Sequence, residues 1–217
     1  VFNGKTGIRI LAQGATFVST TVGNSVLGLF TFYDCTDCVV YGGTAEGSFT
    51  YDSAWTGAYV AFMGLCSNCR LEQGSIRGGY ALAVIIDRTS AVSGLAANEP
   101  IGCYVSGYAQ DARRLCMYLG CGAGHEVDVR AGNVARFYVE SIRGLTGTVI
   151  IRHTDTSYSN EKILISGSNA GVTENINLLL NCDFAGANFV RFQSADTSAI
   201  SFKKIKFSRS TASACVT

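Results

Sequence analysis

The sequence predicts an all-β chain, a solenoid in which short strands stack as a parallel β-helix, and three observations indicate it. One pattern occurs twice, because GLFTFYDCTDCVVYGGTAEG and YVAFMGLCSNCRLEQGSIRG align without gaps, with Cys35 over Cys66 and Cys38 over Cys69. The apolar runs are short and are broken by Gly and small polar residues, and no long stretch has helical spacing. A repeated unit of this kind buries its apolar face only by stacking on its neighbours.

Composition indicates one elongated domain and argues against several classes of partner. The 217 residues are 47% hydrophobic, so we expect a single β-helix domain over residues 1–217, itself a fragment of a longer chain. A net charge of +1 with 15% charged residues gives no basic stripe for nucleic acid or an anionic membrane surface. No run of about 18 apolar residues occurs, so membrane insertion is not expected.

The first strands are predicted between Thr6 and Thr20, where apolar and polar residues alternate around a turn at Gly14. The pattern I-x-I-x-x-x-G-A-T-F, from Ile8 to Phe17, resembles an early coil of the pectate-lyase-like right-handed parallel β-helices found in phage tailspike and tail fibre proteins. The resemblance implies a single-stranded, right-handed β-helix, a homotrimer, and a place in the virion after assembly in the host cytoplasm.

The middle of the chain continues with one buried strand and one insertion. Ala81 to Asp87 is an apolar run short enough for a strand buried on both faces. Residues 88–100 are small and polar, and we expect a loop inserted between coils, where function is often carried. The segment AQDARRLCMYLG, residues 109–120, is the only place where a short helix is plausible.

The same alternation of apolar and polar residues resumes near Val127 and runs to the end of the chain. The pattern of Cys182 and Phe184 recurs at Ile205 and Phe207, an interval shorter than the one from Cys35 to Cys66. This interval suggests a last coil shorter than the first ones. Residues 208–217 are mostly Ser, Thr and Ala, so we expect a frayed tail.

Four of the nine cysteines form two CxxC pairs, Cys35 with Cys38 and Cys66 with Cys69. Because each pair occupies one position of a stacked repeat, we interpret them as small buried hydrophobes of a protein assembled in a reducing cytosol, with no metal. Two alternatives stay open. Four thiolates suit a tetrahedral zinc site, and coils about 4.8 Å apart are close enough for disulfides between them.

Polar residues also recur at the repeat, since Asp37 aligns with Asn68. Stacked Asn and Asp side chains in turns hydrogen-bond to one another, so this pair predicts a structural ladder rather than a catalyst. His125 and Glu126 lack the second His of a metalloprotease motif.

The most ligand-like stretch is FTYDSAWTGAY, residues 49–59, which contains the only Trp. Aromatic side chains stack on the apolar faces of sugar rings while carboxylates bind sugar hydroxyls. The candidate ligand-binding residues are therefore Tyr51, Asp52, Trp55 and Tyr59. The alternative is that these aromatics cover an edge or an oligomer contact.

Hydrolysis or elimination on a polysaccharide would need a pair of carboxylates. Asp52, Glu72 and Asp87 are the candidate catalytic residues, and no motif singles out any of them. The other candidates by residue type are Glu126, Asp128, Glu140 and Asp155. A solvated or turn-capping role is the alternative for each.

These observations predict a tailspike-like or tail-fibre-like β-helix domain that binds bacterial surface polysaccharide along its flank. The expected partners are that polysaccharide, other virion or tail proteins and two further copies of the chain, and no cofactor is expected. Two alternatives come from other classes: a polysaccharide depolymerase that uses a carboxylate pair, and a non-catalytic structural or decoration protein of a virion. The fold alone does not decide among them.

Overall fold

The computed structural model describes residues 1–19, 28–47, 57–86, 99–112, 114–132, 136–152, 161–167, 172–182, 188–194, 201–203 and 206–209. In these residues the secondary structure is all strand: β1 (Phe2–Asn3), β2 (Arg9–Leu11), β3 (Thr16–Ser19), β4 (Gly28–Tyr33), β5 (Val39–Tyr41), β6 (Thr44–Gly47), β7 (Ala58–Met63), β8 (Arg70–Arg77), β9 (Ala81–Ile86), β10 (Tyr104–Gln110), β11 (Arg114–Cys121), β12 (His125–Gly132), β13 (Arg136–Ile142), β14 (Leu145–Arg152), β15 (Glu161–Gly167), β16 (Val172–Glu174), β17 (Ile176–Cys182), β18 (Asn188–Ser194), β19 (Ser201–Lys203) and β20 (Lys206–Arg209). The described ranges contain no helix that could span a membrane.

Two large sheets contain nearly all of these strands. The eight-stranded sheet has the order β1-β4-β7-β9-β11-β13-β15-β18, and the ten-stranded sheet has β2-β5-β8-β10-β12-β14-β17-β20 with β3 and β6 beside β8. Strands β16 and β19 form a small third sheet. All of the pairings between these strands are parallel. The chain is therefore all-β with parallel sheets, an architecture compatible with a parallel β-helix.

The sequence repeat corresponds to strand pairing. Val40 pairs with Leu71, and Thr44 pairs with Ser75, each as the alignment of the two copies predicts. The spacing between partners changes along the chain, however. Leu71 pairs with Val105, and the chain between them is much longer than the chain between Val127 and its partner Gly147.

The main apolar core contains inward side chains from both large sheets, and like residues stack on like residues across neighbouring strands. Phe32 lies between Phe2 and Phe62, with ring centroids 5.0 Å and 5.6 Å away. Leu71 is fully buried in the same core. Stacking of this kind removes large apolar surfaces from water, since a buried aromatic side chain contributes about 150–250 Å².

A second apolar cluster lies on the other face of the eight-stranded sheet. Val84 and Ile86 of β9, together with Met117 and Leu119 of β11, are at most 6% exposed there. As a result all six residues of β9 are buried, which confirms the strand predicted from Ala81 onward. Asp87, the last residue of that prediction, lies outside the described residues.

A row of residues with left-handed backbone conformation joins the two sheets at one bend of each repeat. Asp37 has φ 54° and Asn68 has φ 52°, and Gly102 continues the row at φ 61°. Asn, Asp and Gly tolerate this conformation, which is costly for other residues. The Asn68 amide donates a hydrogen bond to Asp37 Oδ1 at 3.3 Å, so the predicted polar ladder is confirmed.

Two expectations from the sequence are wrong. The short helix expected at residues 109–120 is absent, because these residues end β10 and form most of β11, with a bend at Asp111 where φ is 52°. The register expected for the last coil is also wrong, because the partner of Phe207 is Leu178; the interval between these two residues is nevertheless shorter than the one from Val40 to Leu71, as expected. The expected tail starts inside β20, and residues 210–217 lie outside the described ranges.

Candidate functional site

A β-bulge interrupts the pairing of β8 with β10 on the ten-stranded sheet. Glu72 and Gln73 of β8 lie opposite a single residue of β10, Ser106. Gln73 has φ 56°, and its backbone N–H donates to Ser106 Oγ at 3.0 Å. Bulges of this kind bend the strand and redirect side chains, and they recur beside functional sites.

An open groove of about 410 Å³ lies on the outer face of the sheet beside this bulge. Its floor is backbone, because Gly74 and Gly107 face each other across the two strands. A Cβ added to Gly107 would lie 2.0 Å from the Gly74 carbonyl oxygen, so only glycine fits at this position. A Cβ added to Gly74 would likewise meet the side chain of Leu71 in the core.

Two tyrosines of β10 line this groove. Tyr104 lies under the guanidinium of Arg70, which is 4.8 Å from the ring centroid, and this cation–π contact holds the ring in place. Tyr108 is 43% exposed, and its hydroxyl donates a hydrogen bond to the side-chain oxygen of Gln110. Both rings therefore lie beside the two glycines. Arg70 holds the face of Tyr104, and Gln110 holds the hydroxyl of Tyr108.

Opposite charges lie on the adjoining strand. Asp128 and Arg130 of β12 are exposed and border the groove. Neither side chain forms an ion pair or hydrogen bond with another described residue. Arg70 and Glu72, by contrast, form an ion pair at 2.7 Å. The groove thus presents one carboxylate and one guanidinium that are available to a ligand.

The structure places the predicted carboxylates in different parts of the molecule. Glu72 is half-buried next to the bulge, and it shares the outer face of the ten-stranded sheet with Asp128 and Glu126. Glu140 lies in the eight-stranded sheet, where burial raises the pKa of its carboxyl and Tyr138 donates a hydrogen bond to it. The remaining candidates, Asp52, Asp87 and Asp155, lie outside the described residues.

The predicted ligand segment is only partly described. Tyr51, Asp52 and Trp55 lie outside the described residues, so ligand binding by them stays a prediction. Tyr59 is fully buried, its hydroxyl donates to the Gly42 carbonyl oxygen at 2.7 Å, and desolvation raises its pKa to about 12. Its ring also makes an edge contact with Phe30 at 5.7 Å.

Sequence reasoning missed most of the groove. Gln73, Tyr104, Tyr108 and Arg130 were not singled out, because each belongs to an ordinary strand pattern. The available signal was local: β10 reads YVSGYAQ, with two tyrosines on either side of a Gly. A Gly inside a strand indicates a bulge or a close backbone approach.

The cysteines of both CxxC pairs lie in the core, as expected. Among the described residues, seven cysteines are buried as thiols: Cys35, Cys38, Cys66, Cys69, Cys103, Cys116 and Cys121. Burial raises the pKa of the Cys103 and Cys116 thiols. In the described part of the chain, no three His, Cys, Asp or Glu side chains come together as metal ligands do.

His125 has a structural place in this core. Its Nδ1 accepts a hydrogen bond from the Cys103 N–H at 3.2 Å, and Nε2 lies 3.0 Å from the Pro100 carbonyl oxygen. The ring is therefore neutral, with its proton on Nε2, and it packs edge-on against Tyr118 at 5.8 Å. Desolvation lowers the pKa of this imidazole to about 4.

Chemically, the groove combines aromatic faces, hydroxyl and amide groups, an available carboxylate and an available guanidinium on a rigid sheet. That set suits a ligand with many hydroxyls and some apolar surface, held across several strands. Comparison of the chain with protein-family models, curated proteins and solved structures gave no match.

Proposed function

We propose that the chain winds as a single-stranded, right-handed parallel β-helix. Consecutive strands alternate largely between the two large sheets, and within each sheet the neighbours follow in chain order. A chain that visits two parallel sheets in turn, always advancing in the same direction, traces a helix. Parallel crossovers are right-handed in nearly all proteins, which supports that hand.

The proposed function is binding of a bacterial surface polysaccharide along the flank of this helix. The observation that carries it is the groove beside the bulge, where Tyr104 and Tyr108 line a glycine floor next to Asp128 and Arg130. Tyrosine rings contact the apolar faces of sugars, and the charged groups hydrogen-bond to hydroxyls or acidic substituents. A long, regular sheet already holds such groups in fixed positions. These side chains therefore lose little conformational entropy when an extended glycan binds.

The sequence resemblance supplies the biological setting of the proposal. A β-helix domain of a phage tailspike or tail fibre would bind its polysaccharide as a receptor, as part of a homotrimer in the virion. Composition agrees with an oligomer, since 47% hydrophobic residues with 15% charged ones leave apolar surface to cover. Light scattering on the chain is the direct test of the trimer.

A polysaccharide panel tests the binding function. The wild-type chain should bind at least one capsular or O-antigen polysaccharide, and Tyr108→Ala should weaken that binding about tenfold, the effect of losing roughly 1.4 kcal/mol. Leu179→Ala is the matched control, since Leu179 is equally exposed at 43% on the same sheet and does not line the groove. Binding that is equally weak or equally strong in both variants would contradict a site in the groove.

A second function, polysaccharide depolymerisation, is favoured by the placement of two carboxylates. Glu72 and Asp128 lie on one face of the sheet with β10 between them. Two strand spacings of about 4.8 Å separate them by about 10 Å, close to the range of inverting glycosidases. However, Glu72 is already paired with Arg70.

New reducing or unsaturated ends in the bound polysaccharide would establish this activity. Glu72→Gln and Asp128→Asn should then abolish the product, and binding should persist in Glu72→Gln, because Glu72 does not line the groove. Binding without any product would leave receptor binding as the function, and no binding to any polysaccharide would favour the structural virion component.

A further inference from the structure

The groove beside the bulge has its opposite charges on opposite sides of the glycine floor. The outward-facing pairs that β10 and β12 form in register are Tyr104 with Glu126, Ser106 with Asp128 and Tyr108 with Arg130. Gly107 of the floor comes between the second pair and the third. The two carboxylates are therefore on one side of the floor, and the guanidinium of Arg130 is on the other.

Arg130 carries a positive charge that no described neighbour neutralises. Its side chain is exposed and forms no ion pair or hydrogen bond with another described residue. The residues beside it on the adjoining strands are Tyr108 and Ile150, and neither is charged. Asp128 lies two residues away on the same strand, at about 6.6 Å along the backbone. Arg130 is therefore available to an anionic group of a ligand.

Tyr108 leans from β10 toward the strand that carries Arg130. Its hydroxyl donates a hydrogen bond to the side-chain oxygen of Gln110, and it lies against Gly132 of β12. A Cβ added to Gly132 would lie 2.9 Å from this hydroxyl, so a glycine there leaves room for the ring. The ring, which is 43% exposed, is thus held beside Arg130 with a surface open to the groove.

The charged groups on the two sides of the floor suit different groups of a sugar. A guanidinium only donates hydrogen bonds, and its planar fork pairs best with a carboxylate or a phosphate. A carboxylate such as Asp128 only accepts hydrogen bonds, so it suits neutral hydroxyls and repels a second anion. The carboxylate of a uronic acid is bonded directly to the sugar ring. A ring packed against Tyr108 can therefore direct it to the next strand, about 4.8 Å away, where Arg130 lies.

We propose that the groove selects an acidic polysaccharide, one whose repeating unit contains a carboxylated sugar such as a uronic acid. Arg130 binds the carboxylate, and Tyr108 packs against the ring that carries it. Neutral sugars of the same chain lie toward Asp128, which accepts hydrogen bonds from their hydroxyls. The assignment rests on the proposed function, because it concerns the polysaccharide bound in the same groove.

The ligand side of the test needs only the wild-type chain. Binding is measured for uronic-acid-containing, neutral and phosphate-bearing capsular polysaccharides, and the tightest binder should be one that contains a uronic acid. That polysaccharide is then compared with its carboxyl-reduced form, in which each uronic acid has become the neutral sugar and the linkages are retained. The wild-type chain should bind the reduced form about tenfold more weakly, because a charge-assisted contact is lost. Rising salt concentration should weaken binding of the native form more than binding of the reduced form.

The protein side of the test compares a charge in the groove with a charge outside it. Arg130→Gln should weaken binding of the native polysaccharide about tenfold and leave binding of the reduced form unchanged, because the reduced form has already lost the contact. Arg130→Lys keeps the charge without the planar fork and should have an intermediate affinity. Arg77→Gln is the matched control, since the Arg77 side chain is 69% exposed on the outer face of β8 and does not line the groove. It should change neither affinity by more than about twofold.

The outcomes separate the carboxylate assignment from the function on which it rests. No binding to any polysaccharide would contradict both. Equal binding of the native and reduced forms, or tightest binding to a neutral or phosphate-bearing polysaccharide, would overturn the carboxylate assignment alone. Equal losses in Arg130→Gln and Arg77→Gln would also overturn it, since a general attraction of the polyanion would then replace a contact in the groove. The wild-type comparison decides the question even if a variant fails to fold.

Discussion

The two faces of the ten-stranded sheet differ in how similar the residues on successive strands are. On the inner face, Leu71, Val105 and Val127 occupy successive strands in register, and each is at most 1% exposed. On the outer face the residues at neighbouring positions change type from strand to strand, as with Tyr104 beside Glu126. An inner side chain must fit the strands on both sides of it, whereas an outer one meets water. Function is therefore free to occupy the outer face.

The bulge shows how the two faces are kept separate. Although β8 has one extra residue at Gln73, Leu71 and Ile76 on either side of the bulge stay fully buried. The irregularity appears as the outer groove instead. A local change in one face can thus create a binding site without a compensating change in the core.

The largest expected effect on stability comes from a substitution on the inner face, compared with the same substitution on the outer face. Leu71→Ala should lower the free energy of unfolding by about 2–5 kcal/mol, because it leaves a cavity among stacked side chains. Leu179→Ala removes the same atoms from the outer face, where the side chain is 43% exposed, and should cost less than about 1 kcal/mol. Urea unfolding of both variants measures the difference. Equal losses of unfolding free energy would contradict the claim that only the inner face is constrained by packing.

The pH dependence of stability tests the contribution of the buried His125 to the core. The pKa of His125 is about 4 in the folded chain, below its ordinary 6.5, so the unfolded chain binds the proton first. The stability due to the neutral ring is complete above pH 6.5 and should be lost as the pH falls towards 4, by on the order of 3 kcal/mol.

The control for this titration is His125→Leu, compared by urea unfolding over the same pH range. Leucine matches Leu145, the residue paired with His125 on the next strand, but cannot be protonated. The variant should be less stable at pH 7, because the Cys103 N–H loses its acceptor, and its stability should depend less on pH. Parallel pH curves for the two proteins would show that His125 is not the titrating group.

The floor of the groove links the two faces, so a change there should affect both. Gly107→Ala would place a methyl group against the Gly74 carbonyl oxygen, with φ at 151°, and should lower stability by roughly 2 kcal/mol. It should also abolish binding to the proposed polysaccharide. Tyr108→Ala, in contrast, should affect binding and leave the urea midpoint unchanged within error.

The smallest expected effect concerns the bend at Asn68 that joins the two sheets. Asn68→Ala removes the hydrogen bond to Asp37 and puts a residue that disfavours the left-handed conformation at φ 52°, so it should cost about 1 kcal/mol. Asn68→Gly loses only the hydrogen bond and should cost less. A glycine variant that is the less stable of the two would rule out the backbone explanation.

The parts of the fold that could be predicted from the sequence are those where similar residues recur at a fixed offset. The pairing of Val40 with Leu71 and the ladder from Asp37 to Asn68 follow from similar side chains at one offset. The last pairing, between Leu178 and Phe207, was mispredicted because apolar strand residues resemble one another at many offsets. The helix expected at residues 109–120 failed because a run such as LCMYL suits a buried strand equally well.

The groove was harder to predict than the fold. Its residues come from β8, β10 and β12, and the chain from Leu71 to Val105 is longer than the chain from Val105 to Val127, so no single period relates them. No local pattern reveals that Gln73 and Arg130 line one groove. Glu72 was singled out for its chemistry alone, and only the register places it beside the bulge.

The unequal spacing of paired strands has a consequence for how such a chain evolves. The connection from Leu71 to its partner Val105 is longer than that from Val127 to Gly147, yet the paired strands keep their parallel register. Extra or missing residues are thus accommodated between strands, and the neighbouring strands need not shift. Such a chain can therefore change in length between its strands while the buried core keeps its register.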